Sequence, residues 1–63
     1  MITPPQAELL EFIEDAIENG CAPSLEEMAF ATGRGLMATT MMRSYLERNG
    51  FIYRNGNRIT VLP

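Results

Sequence analysis

Sixty-three residues with a formal net charge of −3, one cysteine, no histidine and no lysine leave room for one small core, because a chain this short buries only roughly 60% of the surface its unfolded form exposes. A hydrophobic content of 46% is too high for a disordered segment, and the apolar runs are too short to span a bilayer, so no membrane association is expected. Without histidine, lysine or a glycine-rich phosphate loop the chain is not expected to be an enzyme or to take a small-molecule substrate, and its single cysteine and dispersed carboxylates predict neither metal nor cofactor.

Thr3-Pro4-Pro5-Gln6 opens the chain with a helix start: threonine as N-cap, prolines in the first turn, and Gln6 completing a capping box. The helix is predicted to run to about Glu18. Leu9, Leu10, Phe12, Ile13, Ala16 and Ile17 recur at three- and four-residue spacing, and Glu8, Glu11, Glu14, Asp15 and Glu18 occupy the other side. Asn19-Gly20 ends it, and Cys21-Ala22-Pro23 connects onward. Cys21 has no internal partner, and a lone thiol points to a reducing, cytoplasmic setting.

Ser24-Leu25-Glu26-Glu27 is a second capping box and predicts a short helix over roughly 25–32, with Leu25, Met28, Ala29 and Thr32 facing inward. Gly33 supplies the positive φ of a tight turn. A third helix is predicted over about 36–49, starting behind Gly35, a weaker cap than serine or asparagine. Met42 and Leu46, with Thr39 or Ala38 a turn earlier and Tyr45 flanking, are its core candidates. Met37, Thr40, Met41, Arg43, Ser44 and Glu47 are left outside.

Gly50 closes that helix, and Phe51-Ile52-Tyr53-Arg54 alternates as a strand. Asn55-Gly56 is the preferred two-residue hairpin turn. It predicts pairing of Arg54 with Asn57, Tyr53 with Arg58, and Ile52 with Ile59, so that Ile52, Ile59 and Val61 close over the helices. The fold class is therefore mainly α with a small β-hairpin (α+β), a three-helix winged helix-turn-helix. Residues 1–63 are expected to make a single domain with no repeat or linker.

Charge divides the chain. Residues 1–27 carry seven acids and no base, whereas residues 28–63 carry five arginines against Glu47 alone, a split of −7 and +4. Such asymmetry is a partner signal, although an acidic helix face also serves solubility.

The order of these motifs resembles a known family. Ile2-Thr3 with Gln6, the run Leu9-Leu10-Glu11-Phe12-Ile13, the lead-in Ala22-Pro23-Ser24, Glu27-Met28-Ala29 with Gly33, then Leu46-Glu47-Arg48-Asn49-Gly50-Phe51-Ile52 and an Arg58-Ile59 wing resemble the N-terminal winged-helix domain of LexA-type repressors over nearly the whole chain. The resemblance implies a domain that reads operator DNA with its third helix, usually as a dimer, to repress transcription. The positions that meet base edges in that family fall on Met37, Ala38, Thr40 and Met41, and Arg48 matches a basic position suited to a phosphate. The chain also departs from the pattern. The family's self-cleaving protease domain has no counterpart in these residues, so no self-cleavage is expected. The segment after Gly33 is one residue shorter and lacks the usual serine cap. Arg43 stands where the family tends to place a buried leucine, which predicts Met42 in the core. The reading positions hold methionine and alanine where hydrogen-bonding side chains are expected of a base reader.

Two functions follow as expectations. The first is a small DNA-binding transcriptional regulator, of a size that suits a phage or mobile element, that takes double-stranded DNA with the third helix and a wing over 51–62, weakly as a monomer. Its contacts would be Arg34, Met37, Ala38, Thr39, Thr40, Met41, Arg43, Ser44, Arg48, Arg54, Asn55, Asn57 and Arg58. The second is a protein-binding adaptor or inhibitor that keeps the fold and takes a protein partner through its methionines or its acidic first helix. A homodimer is compatible with either.

Overall fold

The computed structural model describes residues 2–56 and 58–63. Three helices, α1 (Pro4–Glu18), α2 (Leu25–Thr32) and α3 (Leu36–Arg48), precede an antiparallel hairpin of β1 (Ile52–Asn55) and β2 (Arg58–Val61). This is the small α+β, winged helix-turn-helix architecture expected from the motifs. Among the described residues no helix is long and apolar enough to cross a membrane.

Both capping boxes form. Thr3 Oγ1 accepts from the Gln6 N–H while Gln6 Oε1 accepts from the Thr3 N–H, and Ser24 and Glu27 do the same for α2 at 3.1 and 2.8 Å. Each pair satisfies two backbone donors that a helix start leaves without partners. The α2–α3 turn depends on Gly33, whose φ of 68° is costly for any residue with a Cβ. Its N–H reaches Phe30 O and the next N–H, of Arg34, reaches Ala29 O, so the last carbonyls of α2 are satisfied while the chain reverses. As predicted, α3 starts without a side-chain cap. It ends at Arg48, with Asn49 as its cap.

Leu9 and Ile13 of α1, Met28 of α2, Leu46 of α3 and Ile52 of β1 are buried together. Leu10, Phe12, Ile17, Leu25, Met42, Tyr45, Phe51, Ile59 and Val61 pack around them. All three helices touch one another, β1 lies on α3, and β2 lies on α1. The hairpin thus closes the open end of the helical triangle.

The hairpin register differs from the expectation. Ile52 faces Val61, Tyr53 faces Thr60, Arg54 faces Ile59 and Asn55 faces Arg58, so Asn55 belongs to the strand and not to the turn, which Gly56 enters with a φ of 63°. Asn57, offered above as a strand partner and a DNA contact, lies outside the described residues. The partner shift is two residues, which preserves side-chain parity. Ile52, Ile59 and Val61 therefore still share the inner face, and hydrophobic pattern does not distinguish the two registers. The observed one brings buried Ile52 opposite half-buried Val61 and is extended by Leu62 N–H donating to Phe51 O. Arg54 lies on the Ile52 face in either register and now pairs with Ile59 in place of Asn57, and Tyr53 is no longer directly opposite Arg58.

Candidate nucleic-acid interface

α3 offers three stripes to its surroundings. Thr39, Met42 and Leu46 point inward. Leu36, Thr40, Arg43 and Glu47 form a second stripe, whose Arg43 and Glu47 end meets Arg54 of the hairpin and whose Thr40 lines the same groove as Met41. Met37, Met41, Ser44 and Arg48 follow i, i+4, i+7, i+11 along the remaining side. Met37 is 80% and Met41 68% exposed, with Leu36 at 51% beside them. Ala38 and Arg48 are exposed and Ser44 is half-buried. Gln6 at the start of α1 meets this stripe across a groove lined also by Ala38, Met41, Ser44, Tyr45 and Arg48.

Thr39 was named above both as a core candidate and as a DNA contact, and Thr40 only as an outward-facing contact. Thr39 is fully buried, and its Oγ1 donates to Gly35 O at 2.9 Å, which removes it from the DNA-facing set and makes it part of the core. Its hydroxyl fits there because that bond leaves no polar group unsatisfied. Thr40 is half-buried and its Oγ1 donates to Leu36 O at 2.8 Å. Together the two hydroxyls bind the first turn of α3, where the missing cap leaves the helix weakest.

The arginines do not converge. Glu47 gathers two of them: Arg54 Nε donates to Glu47 Oε1 at 2.9 Å, and Arg43 Nε lies 3.9 Å from the same oxygen. Arg43, expected outside, has only 18% of its side chain exposed. Its Nε is buried without a hydrogen bond among the described residues. Both side chains line a hollow with Pro23 and Ser24 at the start of α2, on a different flank from the Met37 stripe. Arg58 is exposed at the far end of α1, over a hollow formed with Ile17, Gly20 and Cys21. Arg34 is exposed in the α2–α3 turn. Among the described residues Arg34, Arg48 and Arg58 form no ion pair, so three cations, not five, are uncommitted. Asn55 and Tyr53 are exposed on the outer face of the hairpin.

The arrangement joins an exposed, mainly apolar helix stripe to one basic residue at its end and to two more cations in the turn and wing. Gln6 and Tyr45 belong to this groove but were absent from the sequence-based set. Gln6 looks like a pure capping residue, and its place beside α3 depends on how two helices pack. Phe30, 91% exposed on α2, was also passed over. At about 100° per residue it falls on the face opposite the Leu25, Met28, Ala29 and Thr32 stripe, which is a signal the sequence does contain.

No protein-family model matches the chain, and no curated protein matches it in sequence.

Proposed function

We propose that this protein is a DNA-binding transcriptional regulator that lays α3 in the major groove and sets the hairpin beside it as a wing. The observation that carries the reading is the stripe of exposed Met37, Met41 and Arg48 with half-buried Ser44, on a helix packed against α2 beyond the Gly33 turn. A helix held this way has the diameter and the support to enter a major groove. Arg48, Arg34 and Arg58 supply phosphate contacts, which position the domain but carry no sequence information. Met37, Ala38 and Met41 offer no hydrogen bonds to bases. What they match in the groove is the thymine methyl group, so discrimination at these positions is apolar and favours thymine-containing steps.

Three uncommitted cations support only weak binding by one copy, in the micromolar range or weaker at physiological salt. Two copies, or a partner, would be required for useful affinity. The test is a salt series with duplex DNA followed by fluorescence anisotropy. Three phosphates neutralised predict a slope of log K against log salt of about −2.7, at about 0.9 per phosphate. A slope well beyond that value means Arg43 and Arg54 leave Glu47 on binding. No shift of α3 or hairpin amide resonances by any duplex at low salt rules the reading out.

A second reading is supported by the same stripe. Leu36, Met37 and Met41 form an exposed soft apolar patch, and methionine-rich surfaces adapt to protein partners. If the domain is an adaptor, Met41→Glu abolishes binding to its protein partner with the fold intact, and the complex persists at salt concentrations that dissociate DNA.

A further inference from the structure

We propose that the groove between α1 and α2 centred on Phe30 is a docking surface for a basic, amphipathic protein segment. Phe30 is 91% exposed, while Leu25, Met28 and Ala29 already fill the inward face of α2. Together with half-buried Phe12 of α1 and Ala31, it lines a shallow apolar groove edged by Glu26 and Glu27. Phe12 and Ala31 also line the adjoining hollow, whose other walls include Glu8, Glu11 and Asp15. The result is an apolar strip of Phe30, Phe12 and Ala31 edged by carboxylates from α1 and from the start of α2. An aromatic this exposed adds little to the packing of its own domain, and aromatic residues are enriched among the anchors of interfaces.

Charge selects the occupant. Five carboxylates bound the strip and no arginine lines either part of it. Nucleic acid and anionic lipid are repelled by it. A second copy docked by two-fold symmetry would set these carboxylates against their own equivalents, since a two-fold interface uses the same patch on both sides. The complementary partner carries apolar side chains to cover Phe30 and Phe12, with lysine or arginine on either side to meet the acids. An amphipathic helix with a basic polar face presents that pattern at the spacing of a helix turn. The surface shares no residue with the α3 stripe, so the inference stands or falls independently of DNA binding.

The experiment uses the whole chain and a short synthetic peptide with leucines on one helical face and lysines on the other, compared with a peptide of the same composition scrambled to destroy that pattern. Amide mapping by NMR is expected to show the patterned peptide shifting residues 26–32 and 8–15 and leaving α3 and the hairpin unmoved. Phe30→Ser, at an exposed site that leaves the core untouched, is expected to weaken binding about tenfold or more, the scale of losing one buried aromatic anchor. Equal binding of the scrambled peptide, shifts located elsewhere, or unchanged affinity in Phe30→Ser overturns the proposal. So does a dimer of the wild-type chain in analytical ultracentrifugation that Phe30→Ser dissociates, because a second copy then covers the groove.

Discussion

Arg43 carries the sharpest conflict between charge and burial in the molecule. Among the described residues its Nε is buried without a hydrogen bond, and the carboxylate oxygen beside it, on Glu47 at 3.9 Å, already accepts from Arg54. A donor left in this state costs about 1–3 kcal/mol, and replacing a poorly paired buried charge by an apolar side chain of similar volume is often stabilising. Arg43→Leu is therefore expected to stabilise the domain by about 1 kcal/mol, a rise in Tm of about 4–8 °C at this chain length. It should leave DNA affinity and its salt slope unchanged, since Arg43 is not among the uncommitted cations. Thermal denaturation and the salt series check the two halves separately, and a lowered Tm contradicts the account. Arginine is read as outward from sequence because it is almost never fully buried unless paired. What draws its stem inward is the hairpin on the same flank, whose distance from α3 no local pattern encodes.

The elements whose ends are written in short-range chemistry were the most legible. Thr3 with Gln6, Ser24 with Glu27, and Gly33 each act within four residues, and all three form as read. Gly35 is the exception that offers a gain. Its φ and ψ of −70° and 164° are ordinary extended backbone, and a Cβ added there meets nothing within 4 Å. Gly35→Ser is therefore expected to stabilise the domain by about 0.5–1 kcal/mol, from a new cap bond and a less flexible unfolded chain. The gain should appear as slower hydrogen exchange in the first turn of α3. Unchanged exchange there would mean that the Thr39 and Thr40 hydroxyls already supply what a cap would. The hairpin was legible in kind and not in register. Asn55-Gly56 and Gly56-Asn57 are both acceptable two-residue loops, and both registers bury the same apolar side chains. Contacts with α3 and the pairing beyond Ile52 separate them.

At the scale of the molecule, six fully buried side chains, Leu9, Ile13, Met28, Leu46, Ile52 and Thr39, hold three helices and a hairpin together. A domain of this length has a total stability of about 3–9 kcal/mol, and removing a buried leucine costs about 2–5 kcal/mol. Leu46→Ala is thus expected to leave much of the population unfolded at physiological temperature. A cooperative native transition retained at the wild-type temperature in circular dichroism would show that α1 and the hairpin do not depend on α3. The charge asymmetry also takes spatial form: five of the seven acids of the first half bound the Phe30 groove, and the arginines of the second half are distributed over α3, the turn and the hairpin. Two surfaces of opposite character result, one apolar and acidic, the other apolar with scattered cations.

The chain alone determined the three helices, their starts and stops, the hairpin, and the inward identity of Leu9, Ile13, Met28, Leu46 and Ile52. Capping, helical periodicity and strand alternation are local effects, and each is complete within a few residues. Only the tertiary structure decided that Thr39 is core, that Glu47 occupies Arg43 and Arg54, that Gln6 borders the α3 groove, and that Phe30 joins Phe12 in a strip edged by acids. Those facts depend on which side chains from different elements come within a few ångströms of one another. That proximity is set by the packing of helices on a shared core and not by the spacing of residues along any one of them.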